Sequence, residues 1–134
     1  MQKKAKRLTA TILCTFLLLA LCSSFLQVYA WTNISGTTTG ISTSNGNGSA
    51  ICSLTGYQGT VTKCSIKANL QQYKSGSWVT IATWSQSFNS YRGSLTGTKA
   101  NITKGYDYRV QAIYTATSAS LTETFTAYSG VKHY

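Results

Sequence analysis

Residues 102–114 read Ile102-Thr-Lys-Gly-Tyr-Asp-Tyr-Arg-Val-Gln-Ala-Ile-Tyr114 and are the most informative stretch of the chain. The stretch opens with a turn signal, Thr-Lys-Gly at 103–105, and then alternates. Aromatic and aliphatic residues occupy one parity, while Asp107, Arg109 and Gln111 occupy the other. A period of two is typical of a strand with one buried face. The segment therefore predicts a half-buried β-strand.

The same stretch contains the spacing Ile102-x-x-Gly105-x-x-Tyr108, which places a tyrosine just inside a strand after a tight turn. In the tyrosine corner of Greek-key sandwiches, such a hydroxyl bonds the backbone a few residues upstream. We therefore predict that Ile102, Gly105 and Tyr108 form a structural corner.

Other alternating runs are separated by turn signals, and no run after residue 30 has helical spacing. The predicted strands lie near residues 50–54, 61–71, 78–88, 94–102, 106–114 and 121–128. This pattern predicts an all-β fold, a single antiparallel immunoglobulin-like β-sandwich of about six to seven strands over residues 48–134. Residues 31–47 are rich in Gly, Ser, Thr and Asn and predict a flexible arm, with an edge strand near Ile34 or Ile41 as the alternative.

Residues 1–30 have the features of a secretory signal peptide: a basic start, an apolar run over 8–21, and small residues before a cleavage point between Ala30 and Trp31. The alternative is a membrane anchor over the interrupted apolar run 12–28. Cleavage predicts a secreted, extracellular protein with no transmembrane anchor. Its eight Lys and Arg residues, against one Asp and one Glu, leave a net charge of +6.

Cleavage would remove two of the four cysteines and leave Cys52 and Cys64. In an exported domain, two cysteines predict one disulfide. The midpoint between them is Gln58, inside a turn signal, so we expect the bond to join the two strands of an antiparallel hairpin. A free or metal-binding pair is the alternative.

Residues 95–125 resemble the last three strands of fibronectin type III and related immunoglobulin-like domains, through the corner, a small-residue hairpin and a final strand. Residues 31–134 are also similar to a family of small secreted proteins of Gram-positive bacteria whose function is unknown. The shared motifs are Gly-x-Val-Thr-Lys at 59–63, the Leu70-Gln71 pair before a Gly-x-Trp turn at 76–78, and Gly-Tyr-x-Tyr-Arg-Val at 105–110. The resemblance implies the fold and export, but no activity.

Enzymatic residue types are scarce after residue 30. Acid–base and glycosidase chemistry uses paired carboxylates, and only Asp107 and Glu123 are present. These two are expected to be solvated strand residues that pair with Arg109 or a lysine. The one histidine, His133, is next to the end of the chain, so we expect no catalytic residue, no metal site and no cofactor.

The combination of aromatic and basic residues favours binding. Thirteen aromatic residues lie within residues 31–134, and several are in turns. Successive turns of an antiparallel sandwich alternate between its ends, which predicts that Tyr57, Tyr91 and Arg92 form one ligand-binding patch, with Tyr73 and Lys74 at the other end. In this patch the rings would stack and the guanidinium would bind an anion. The alternative is that the aromatics fill the core and the charge only maintains solubility.

These observations predict a secreted, non-enzymatic binding or surface-interaction module. Its partner would be an anionic cell-envelope polymer, a glycan or a protein. Nucleic acid is disfavoured by the predicted export and by the absence of a basic cluster in the sequence. The alternative function is that of a secreted cationic antibacterial or host-active protein, which the size, export and charge also suit.

Overall fold

The computed structural model describes residues 31–134, and the predicted signal peptide over residues 1–30 lies outside them. The described chain is all-β and contains two antiparallel sheets, as a β-sandwich requires. Its strands are β1 (Ile34–Ser44), β2 (Asn47–Gly56), β3 (Val61–Lys74), β4 (Ser77–Phe88), β5 (Arg92–Lys99), β6 (Asp107–Ser118), β7 (Thr122–Tyr128) and β8 (Lys132–His133).

The smaller sheet has the order β1-β2-β5, and the larger has the order β4-β3-β6-β7, with the short β8 also pairing with β6. The predicted all-β antiparallel sandwich is thus confirmed, with eight strands rather than six or seven. Within residues 31–134, no helix is long and apolar enough to cross a membrane.

The centre of the larger sheet is the ladder between β3 and β6, which extends from Val61 opposite Ser118 to Gln72 opposite Tyr108. One parity of these two strands is buried and supplies most of the core: Cys64, Ile66, Ala68, Leu70, Tyr108, Val110, Ala112, Tyr114 and Ala116. Successive side chains of a strand point to opposite faces. The other parity, which includes Lys67, Asn69, Gln71, Arg109 and Gln111, therefore covers the outer face of this sheet.

The segment predicted as a flexible arm contains an ordered edge strand. β1 pairs with β2 from Ile34 opposite Gly56 to Ser44 opposite Asn47. Its start is held by Glu123, whose carboxylate accepts the backbone N–H groups of Asn33 at 2.8 Å and Ile34 at 2.9 Å. Hydrogen bonds to a charged acceptor are stronger than neutral ones, and this contact fastens the first residues of the sandwich to β7.

The predicted hairpin disulfide is wrong. β2 and β3 belong to different sheets, because the turn after Gly56 carries the chain from one sheet to the other. Cys52 therefore pairs across β2 with Thr39 and Leu95, whereas Cys64 lies opposite Phe88 and Ala116 in the other sheet. Both cysteines are free thiols buried in the core, and burial raises the pKa of each.

The corner residues lie as their spacing predicted. Gly105 has a φ of 82°, which glycine adopts without strain, and Ile102 is buried. The hydroxyl of Tyr108 donates to the carbonyl oxygen of Thr103 at 2.6 Å and accepts from the side-chain amide of Gln72 at 3.1 Å. The corner thus sets where β6 begins and which parity of β6 points inward.

Two glycines in β5 let the sheets approach closely beside β4. A Cβ atom built on Gly97 would lie 2.1 Å from the Trp84 ring, and one built on Gly93 would lie 2.2 Å from the Phe88 ring. Real Cβ atoms do not come so close to other atoms, so both rings pack directly against the β5 backbone. Glycine is required here for close approach rather than for a turn.

We expect Gly97→Ala to destabilise the protein by about 1–3 kcal/mol, because the added methyl group forces the Trp84 ring out of its packed position. Gly40→Ala is the matched control. Gly40 also lies in the smaller sheet, but its Cβ would meet its nearest neighbour at an ordinary 3.5 Å. Urea denaturation of the two variants measures the difference, and equal transition midpoints would contradict the packing.

Candidate functional site

The outer face of the larger sheet has an ordered polar surface. Each cross-strand row takes one residue from β4, β3 and β6 in turn, and the rows from Gln111 onward along β6 also take one from β7. Near the end of β6 that follows the corner, two neighbouring rows each contain side-chain hydrogen bonds between residues of adjacent strands.

The first row is a hydrogen-bonded chain through Thr83, Asn69, Gln111 and Tyr128. The Thr83 hydroxyl donates to Asn69 Oδ1 at 2.8 Å, and Asn69 Nδ2 donates to Gln111 Oε1 at 3.0 Å. Gln111 Nε2 then donates to the Tyr128 hydroxyl at 3.1 Å. Because that oxygen accepts, the O–H proton of Tyr128 remains free to donate, and no other residue within 31–134 accepts it.

The second row holds a guanidinium in a fixed orientation. Arg109 Nε donates to Gln71 Oε1 at 2.8 Å, and Gln71 Nε2 donates to Thr80 Oγ1 at 3.4 Å. The guanidinium carbon lies 4.3 Å from the centroid of the Trp78 ring and 4.4 Å from that of Tyr128. A cation over an aromatic ring gains about 0.5–1 kcal/mol at exposed sites, so both rings help to fix the position of Arg109.

A third ring extends this group: the Tyr73 ring centroid lies 5.2 Å from that of Trp78. We call Gln71, Tyr73, Trp78, Arg109 and Tyr128 the Arg109 cluster. Tyr73 and Tyr128 are 43% and 51% exposed, whereas Gln71 beneath them is only 8% exposed. The cluster therefore combines exposed rings with a polar support that water scarcely reaches, unlike an ordinary solvated strand face.

The other end of the same face carries a shallow depression of about 340 Å³. Its lining includes Lys63, Ser65, Ser87, Thr115 and Thr117, all from the outward parity, together with Cys64. Lys67 is exposed between this depression and the Arg109 cluster. At about 3.3 Å per residue, the eight steps of β3 from Lys63 to Gln71 extend over about 26 Å.

The predicted patch of Tyr57, Tyr91 and Arg92 lies on the other sheet. The backbone brings its members together, since Gly56 N donates to Tyr91 O at 2.6 Å and Thr55 is opposite Arg92. The Arg92 guanidinium carbon lies 5.6 Å from the Tyr91 ring centroid. However, Tyr91 packs partly against the core, which leaves Tyr57, 48% exposed, as the freely accessible ring. Within residues 31–134, no side-chain acceptor holds the Arg92 guanidinium.

The sequence prediction separated the members of the Arg109 cluster. It placed Tyr73 in a hairpin at one end and expected Arg109 to pair with a carboxylate. Instead, Asp107 pairs with His133 at 2.7 Å, and Glu123 faces the first residues of β1. The available signal was the run of outward Asn, Gln and Arg residues on β3 and β6, but joining them to Trp78 and Tyr128 needs the strand order.

Residues 31–134 bring together neither a pair of carboxylates nor a set of metal ligands. Asp107 begins β6, while Glu123 is opposite Ala116. The two positions are nine steps apart along β6, which corresponds to about 30 Å. Within residues 31–134, no group of three or more His, Cys, Asp or Glu residues could hold a metal ion.

No protein-family model matches the chain, and a search of curated proteins finds no match. The resemblance to fibronectin type III and immunoglobulin-like domains, and to the Gram-positive family, therefore stays a prediction.

The bond between Arg109 Nε and Gln71 has a measurable signature. We expect the Arg109 Nε–H to exchange with water about 10-fold more slowly than that of Arg92, since an intramolecular hydrogen bond must open before exchange. Nitrogen-15 NMR of the arginine side chains measures both in one sample. In the Gln71→Met variant, the Arg109 Nε–H should exchange at the same rate as that of Arg92. Equal exchange rates for the two arginines in the wild-type protein would contradict the hydrogen bond between Arg109 and Gln71.

Proposed function

We propose that this chain is a secreted, non-enzymatic binding module whose ligand lies along the outer face of the larger sheet. The proposed ligand is an extended cell-envelope polymer. The observation that carries the proposal is the Arg109 cluster, in which the guanidinium is hydrogen-bonded to the buried amide of Gln71 and lies beside the rings of Trp78 and Tyr128.

The distribution of aromatic residues supports this function over simple core filling. Eight of the thirteen aromatics after residue 30 are in the core or pack against it. Of the remaining five, Trp31 packs against Phe125 in a tilted geometry, with ring centroids 4.2 Å apart. Of the others, Trp78 and Tyr128 both lie beside the Arg109 guanidinium, and Tyr73 packs against Trp78. Core packing does not explain why these rings lie together on the outer face, whereas aromatic rings beside a fixed polar group are typical of binding surfaces.

The shape of the surface supports an extended ligand. The Arg109 cluster and the depression at Lys63 lie on one face and are joined by the outward residues of β3. The distance of about 26 Å along the strand exceeds the length of one or two sugar units and suits a polymer. The separation of Asp107 and Glu123 supports binding rather than hydrolysis, because retaining and inverting glycosidases place two carboxyl groups about 5–10 Å apart.

The test is retention on purified, insoluble cell-envelope material, measured by co-sedimentation. Wild-type protein should sediment with the material, and the double variant Trp78→Ala/Tyr128→Ala should lose at least about 10-fold in affinity, since two stacking rings are removed. The triple variant Tyr57→Ala/Tyr91→Ala/Arg92→Ala tests the patch on the other sheet and should bind as wild type.

Urea midpoints of the variants separate loss of binding from loss of fold. Retention of the Trp78/Tyr128 variant at the wild-type level would contradict the proposed surface. The absence of wild-type retention would contradict the function itself.

A further inference from the structure

We propose that the Arg109 cluster recognises an oxyanion, a carboxylate or phosphate group carried repeatedly on the polymer. This inference rests on the proposed function and names the ligand chemistry of the same site. It is carried by the donors that the cluster leaves unused.

The free edge of the guanidinium is the first of these donors. The Nε atom of Arg109 is bound by Gln71, and the guanidinium carbon lies 4.3 Å from the Trp78 ring centroid and 4.4 Å from that of Tyr128. The Nη atoms have no hydrogen-bond partner within residues 31–134. A guanidinium has five N–H donors in a planar fork that matches the two oxygens of a carboxylate or phosphate. Arg109 lies on the outward parity of β6 and is held through Nε by Gln71, so its unused N–H donors belong to the outer face of the sheet.

Tyr128 adds a second donor beside the first. Its hydroxyl oxygen accepts from Gln111 Nε2, so its proton is not used by the hydrogen-bonded chain of the first row. Its ring lies against the same guanidinium. Arg109 and Tyr128 together therefore present donors, and the complementary ligand group is an acceptor with more than one oxygen.

Arg109 forms no salt bridge within residues 31–134. The side chain of Asp107 contacts His133, and Glu123 is bound to the start of β1. A half-buried cation without a counterion favours an anionic ligand over a neutral hydroxyl, because charge-assisted hydrogen bonds are roughly twice as strong.

Two lysines extend the positive surface in a line. Lys67 and Lys63 are exposed on the outward side of β3, and neither forms an ion pair within residues 31–134. The row of Arg109 and Gln71, the row of Lys67 and the row of Lys63 follow each other at intervals of about 13 Å. A single anion would need only Arg109, whereas three spaced cations fit an anion that recurs along a chain.

The experiment compares soluble polymers that differ in charge. Polygalacturonate supplies carboxylates, its fully methyl-esterified form is the neutral control on the same backbone, and poly(glycerol phosphate) supplies phosphates. Isothermal titration calorimetry on the intact protein measures each affinity. Wild-type protein should bind at least one anionic polymer at least about 10-fold more tightly than the ester. The anionic polymer that binds more tightly identifies whether the oxyanion is a carboxylate or a phosphate.

Matched variants locate the interaction. Arg109→Lys keeps the charge but removes the planar fork, and Arg109→Gln removes both. Each should weaken anionic binding at least about 10-fold, whereas Arg92→Lys and Arg92→Gln, on the opposite sheet, should stay within about twofold of wild type. Far-UV circular dichroism and urea midpoints check that each variant is folded.

Three results would overturn the inference: equal binding of the acid and ester forms, equal affinity of Arg109→Lys and Arg92→Lys, or no binding of either anionic polymer. The proposed function is tested separately by retention on insoluble envelope material. If the protein is retained through Trp78 and Tyr128 but any of these three results is found, the proposed binding function would stand. Recognition of an oxyanion would be rejected.

Discussion

The pairing register of β3 with β6 is the constraint on which both the core and the candidate site depend. From Cys64 opposite Ala116 to Leu70 opposite Val110, every second pair is buried, and the pairs between them face outward. A slip of one residue would exchange the two sets, since the side-chain period of a strand is two. The outer face is polar and organised because the inner face fixes the register.

Two tyrosine hydroxyl groups within the core anchor β6, one at the end of the ladder and one in its middle. Tyr108 reaches Thr103 at the corner, and Tyr114 donates to the carbonyl oxygen of Thr38 at 2.6 Å, joining β6 to β1 of the other sheet. Burial raises the pKa of both tyrosines, so each stays protonated as a donor. These bonds allow two large aromatic side chains to be buried without leaving an unsatisfied hydroxyl.

Alternation along the sequence predicted the strands, the all-β class and the corner, because each of these depends on residues close together in the chain. It did not predict which strands are neighbours. Cys52 and Cys64 were expected to face each other across a hairpin, yet the turn between them crosses from one sheet to the other. For the same reason, the sequence did not predict the Arg109 cluster. Trp78 and Tyr128 are fifty residues apart, and the strand order β4-β3-β6-β7 brings both of them to Arg109.

We propose that the outer face of the larger sheet is the binding surface. The most direct measurement is NMR chemical-shift mapping of the nitrogen-15-labelled protein during addition of solubilised envelope polymer. We expect the largest changes at the side-chain amides of Asn69, Gln71 and Gln111 and at the Trp78 indole N–H. Changes confined to Tyr57, Arg92 and their neighbours on the smaller sheet, with the Arg109 cluster unaffected, would contradict it.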